Sequence, residues 1–120
     1  MRRWAALLLA LLLVAGASSV RAEDAVETAR ALLAAWHEDP ARIDRARTLL
    51  ESAAAAEPSP PTLVELSRVW FLTGDFRAHS TSERVAAYEH GREAAGRARD
   101  LARSEQAYLW YAINTGRVAM

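Results

Sequence analysis

Five stretches of apolar residues at helical spacing, each closed by a proline, a glycine or a capping side chain, occupy the chain from residue 24 to its end. Residues recurring at i, i+3, i+4 and i+7 share one face of a helix. Valine and isoleucine are sparse and alanine is abundant, which favours helix over strand. The first helix is expected over roughly 24–37, with Val26, Ala29, Leu33 and Trp36 in register beside Leu32. Asp39 can cap the second, and Pro40 fits its first turn, where the missing N–H costs nothing. That helix, about 41–56, puts Ile43, Ala46, Leu49, Leu50 and Ala53 together, and Pro58-Ser59-Pro60-Pro61 ends it.

The third helix is expected over roughly 62–73, opened by Thr62-Leu63-Val64-Glu65 in the form of a capping box and closed by Gly74. Its stripe is Leu63, Leu66, Val69, Trp70 and Thr73, widened by Val64, Phe71 and Leu72, and 75–81 reads as a loop. Ser80 and Glu83 can box the fourth, about 82–103, whose face holds Val85, Tyr88, Gly91, Ala94, Ala95, Ala98, Leu101 and Ala102. Ser104 can cap the fifth, about 105–116, carrying Ala107, Tyr108, Trp110, Tyr111 and Ile113, with Gly116 or the terminus as its end. Links are short, so the expectation is an all-α domain of helix hairpins.

Residues 1–22 read differently. Arg2-Arg3 precede an apolar run of about 14 residues, Trp4 to Ala17, and Ser18-Ser19-Val20-Arg21-Ala22 follows. The order is that of a signal peptide with cleavage after Ala22, and the run is short of the roughly 20 residues of a membrane-spanning helix. The expectation is an exported domain, residues 23–120, in the periplasm or outside the cell, with no membrane span after cleavage. A retained anchor is the alternative. The chain has no cysteine, so neither a disulfide nor a lipid-modified cysteine is available. Every basic residue is arginine, and three of the 15 (Arg2, Arg3 and Arg21) fall in the leader, whereas all 15 acidic residues lie beyond it. The domain is thus mildly acidic and carries no basic stripe interleaved with aromatics, which argues against a nucleic-acid partner.

Two hairpins overlay at a period near 34 residues. Leu33-Ala34 matches Leu66-Ser67, and Tyr111-Ala112 matches again after a longer interval. Leu66-Ser67, Trp70 and Gly74-Asp75-Phe76, with Ala46, Leu50, Ala53 and Pro58 in the second helix, resemble the tetratricopeptide repeat. The resemblance implies a superhelix of antiparallel hairpins whose third repeat is incomplete. Small side chains at the crossings would be Ala34 against Ala46 and Ser67 against Gly91, with Ala53 and Ala98 docking each hairpin on the next helix. There are departures: a loop longer by about 11 residues after Phe76, Arg103 at a proline position and Arg30 at an aromatic one. Over roughly 61–117, Tyr88-Glu89-His90-Gly91-Arg92-Glu93 and Ala107-Tyr108-Leu109-Trp110-Tyr111-Ala112-Ile113-Asn114 resemble the TRAP transporter T-components. That resemblance implies a periplasmic protein that associates with a solute-binding protein and with itself.

No catalytic constellation is present. His37, His79 and His90 read as solvated helix-surface residues, and no closed set of ligands for a metal or cofactor is evident. Mixed charges along helix four, including Glu89–Arg92 and Glu93–Arg97, read as a solvated face with weak pairs. The expectation is therefore a non-enzymatic binding module. In tetratricopeptide arrays the first helix of each pair lines a groove. By that resemblance the groove takes Ala31 and Ala35, then Val64, Arg68 and Phe71, then Gln106, Leu109, Ile113 and Arg117. Such a surface suits an apolar partner with an acidic group. The competing expectation is a self-associating scaffold, because helix five is apolar around most of its circumference.

Overall fold

A computed structural model describes residues 21–120, and the leader expectation otherwise lies outside the described residues. Five helices follow in order: α1 (Ala22–Ala34), α2 (Ala41–Ala56), α3 (Pro60–Phe76), α4 (Thr81–Leu101) and α5 (Glu105–Val118). Among the described residues there is no strand, and no helix is long and apolar enough to cross a membrane.

The caps follow from short oxygen-bearing side chains at the helix starts. Ser80 Oγ accepts from Glu83 N–H at 3.1 Å and Ser104 Oγ from Ala107 N–H at 3.2 Å, whereas at α2 the cap position falls on Pro40 and Asp39, one residue before it, accepts from the Ala41 N–H at 3.1 Å. Glu83 completes the box one residue early, accepting from the His79 N–H at 2.8 Å. Helix α3 starts differently from expectation. Ser59 is its cap and accepts from the Thr62 N–H, and Pro60-Pro61 occupy the first positions, where no N–H is needed. Thr62 is buried, and Glu65 leaves the helix start to bond Arg30 of α1 at 2.9 Å.

Gly74 does not stop α3, which runs on to Phe76, and none of the described glycines has a positive φ. Its role is steric. A β-carbon at Gly74 would come within 2.4 Å of the Tyr88 ring, so α4 crosses where no side chain stands. The helix closes when the N–H groups of Arg77 and Ala78 both turn to the Thr73 carbonyl. At the other end of the fold, Gly116 lies inside α5, and α1 stops at Ala34, three residues before expectation.

The core takes Val26, Ala29 and Leu33 from α1, Ile43, Ala46, Leu50 and Ala54 from α2, and Leu63, Leu66 and Val69 from α3. From α4 and α5 come Ala94, Ala98 and Ala107, and Tyr88 of α4 is buried as well. Alanine-lined crossings allow close helix approach. The Ser67–Gly91 crossing is present, with the Ser67 hydroxyl donating to the Gly91 carbonyl at 2.6 Å inside the core. The Ala34–Ala46 crossing is not a buried contact, because Ala34 is exposed while Ala46 is fully buried. The stripe that buries α1 runs through Ala25, Val26, Ala29 and Leu33, and Ala34 lies off it at the helix end. On α4 the buried face includes Ala87, whereas Leu101 is 56% exposed and Ala102 is exposed.

Each helix packs on its sequence neighbour, and α3 also meets α1 and α5. The backbones of α2 and α4 nowhere come within 8 Å of each other. Thus α1, α3 and α5 stand side by side, and the even helices diverge. The charged residues expected to pair on α4, Glu89 with Arg92 and Glu93 with Arg97, make no ion pair among the described residues. The ion pair that α4 does make is Arg99 with Asp100 at 3.8 Å.

Candidate functional site

The side-by-side odd helices build one surface. On α3, Arg68 reaches Glu65 at 3.4 Å, and Glu65 in turn holds Arg30 of α1. Farther along α3, Phe71 is half-buried, with the Trp110 ring of α5 5.6 Å away, the Tyr88 ring of α4 6.2 Å away and the Arg117 guanidinium 5.3 Å from its ring centre. The structure therefore brings together Phe71 and Arg117 of the expected groove. Val64 packs against the core, Ile113 and Ala35 are half-buried, and Gln106, Leu109 and Ala31 are exposed. The aromatic neighbour of Phe71 on α5 is Trp110, which the expected set omits.

Arg117 is anchored by a residue that reads as loop in the sequence. Asp75 accepts from Arg117 at 3.4 Å through Oδ2 and from the Tyr88 hydroxyl at 2.5 Å through Oδ1. Burial pushes the Tyr88 hydroxyl up to about 12, and the bond to Asp75 and its negative charge add to the rise. The nearby Arg117 and Arg84 guanidiniums oppose it. These residues border a pocket of about 400 Å³ at the α3–α4 turn, lined by Asp75, Thr81, Arg84, Val85, Tyr88, Arg117 and Met120. Arg84 and Tyr88 share a face of α4 at i and i+4, whereas Asp75 meets them only through the helix crossing, so no local spacing marks it.

A second recess of about 540 Å³ opens where α2 and α4 diverge, floored by Trp70 and Thr73 of α3. Trp70 stacks with His90 at 4.6 Å, and the Arg47 guanidinium lies 5.1 Å from its ring centre. Arg77 donates to both carboxylate oxygens of Asp44 across the same recess, from Nε to Oδ1 at 3.3 Å and from Nη2 to Oδ2 at 2.9 Å. His90 is exposed on the helix surface, as expected, with its ring stacked on Trp70.

Among the described residues no group of three or more His, Cys, Asp and Glu side chains converges to hold a metal ion. The exposed Tyr108 and Leu109, 46% and 54% accessible, form an uncovered apolar strip on α5. Compared with protein-family models, with curated proteins and with solved structures, the chain gives no match.

Proposed function

We propose that this chain is an exported, non-enzymatic binding module built of tetratricopeptide-like hairpins. Its groove runs across α1, α3 and α5 and takes a protein partner. The observation that carries this reading is the Phe71–Arg117–Asp75 contact, which joins α3 and α5 into one apolar surface edged by arginines. Arg30, Arg68 and Arg117 line it against the carboxylates of Glu65 and Asp75, which suits an apolar segment carrying acidic residues. By its resemblance to the TRAP transporter T-components, the partner to test first is a periplasmic solute-binding protein. Titration of that protein, purified, into the wild-type chain should give saturable binding that Arg68→Glu and Phe71→Ala each weaken by about tenfold or more. Unchanged binding in both variants refutes the groove.

The exposed Tyr108–Leu109 strip favours a second reading, a self-associating scaffold held through α5. Sedimentation equilibrium decides it. A dimer or larger species that Leu109→Glu returns to monomer supports the scaffold, and a monomer at all concentrations removes it.

A further inference from the structure

We propose that the groove recognises a peptide segment by one acidic residue two positions from a large apolar one, the acid seated between Arg30 and Arg68 and the apolar side chain against Phe71. This rests on the groove reading and says what the groove selects. The Glu65 side chain is only 8% accessible, and each of its oxygens holds a guanidinium from a different helix. Oε1 accepts from Arg30 Nε of α1 at 2.9 Å, and Oε2 from Arg68 Nη1 of α3 at 3.4 Å. A carboxylate taken out of water needs one cation to match its charge, and this one has two. Two guanidiniums against one carboxylate leave the trio with a single net positive charge. Neither arginine makes another ion pair or hydrogen bond among the described residues, and Glu27, one turn before Arg30 on α1, pairs with neither.

Both side chains stay open to solvent, Arg30 at 59% and Arg68 at 36%. Each is tied to Glu65 by one nitrogen, so the rest of each planar fork is oriented and uncommitted, which is what a second carboxylate accepts from. A phosphate group would set its excess charge against Glu65, whereas the one charge of an acidic side chain balances the site. Arg117, the third arginine of the groove, already has Asp75 as its partner. The spacing follows from α3. Arg68 and Phe71 are three residues apart, about 4.5 Å along the helix axis. In an extended segment the nearest side chains on one face are two residues apart, about 6.6 Å. An acid and an apolar residue at i and i+2 therefore reach both stations from one side.

A random heptapeptide library displayed on phage and selected on the purified chain should enrich sequences with Asp or Glu two positions from a large apolar residue. Arg30→Gln and Arg68→Gln should each remove the acidic preference and keep the apolar one, and Phe71→Ala should do the reverse. A synthetic enriched peptide should lose about tenfold or more in affinity, by calorimetry, when its acid is replaced by the corresponding amide. Circular dichroism verifies that each variant keeps the fold. Apolar enrichment without an acid, or an acidic preference that both arginine variants retain, overturns this inference and leaves the groove standing. No enrichment, or enriched peptides whose binding Phe71→Ala does not weaken, overturns both.

Discussion

A methyl group at Gly91 would lie 2.6–2.7 Å from the amide of Asn114, which is itself fully buried. That amide cannot step aside cheaply, since its nitrogen donates to Ser67 Oγ at 3.0 Å and to the Trp110 carbonyl at 3.1 Å. Gly91→Ala should therefore destabilise the fold by about 1–3 kcal/mol despite alanine's better helix propensity, as read by urea denaturation. Gly96 gives the contrast. A methyl there meets the Tyr111 ring at an ordinary 3.6 Å, so Gly96→Ala should stabilise by up to about 1 kcal/mol. Tyr88 supplies a pH signature. Its hydroxyl is shifted from 10 up to about 12, so the folded state holds that proton more tightly than the unfolded chain. The associated stability is whole below pH 10 and is lost as the pH climbs through 12. Absorbance at alkaline pH should show one of the three tyrosines ionising late. Asp75→Asn should lower that value only in part, because burial is the larger cause. The Ser67–Gly91 crossing was legible because small residues at facing repeat positions have one packing explanation. Asn114 was not, since a polar side chain at a fully buried position leaves no mark in a hydrophobic pattern.

At the level of single helices, spacing and caps carried most of the information. The bounds of α2 and the caps at Ser80 and Ser104 follow from local chemistry, and local chemistry is written in consecutive residues. Ser104→Ala should cost about 1 kcal/mol and speed amide exchange in the first turn of α5, measured by NMR. Helix α3 shows where that legibility stops. Its start depends on Ser59, three residues upstream of the expected cap, and its extension past Gly74 depends on the Tyr88 ring lying over that glycine. A glycine that ends a helix and a glycine that admits a neighbour look alike until the neighbour is known. The expected set placed Phe71 and Arg117 together, as they are found, whereas Asp75, which anchors Arg117, was hidden in a segment that read as loop.

At the scale of the whole molecule, α3 touches all four other helices, and no other helix does. Amides in its middle, from Leu66 to Thr73, should be the last to exchange with solvent, and those of α1 should exchange earlier. Equal protection throughout the five helices would contradict that arrangement. The all-helical body was legible from periodicity alone, because nearly every segment carries its own stripe. The divergence of α2 from α4 was not, since it is a relation between elements more than twenty residues apart in the chain, with Trp70 of α3 reaching Arg47 on one and His90 on the other. That divergence leaves the molecule with a single mechanical spine. The first hairpin meets the rest of the described fold only through α3, so a bending load on it must pass into that helix before it reaches α4 or α5.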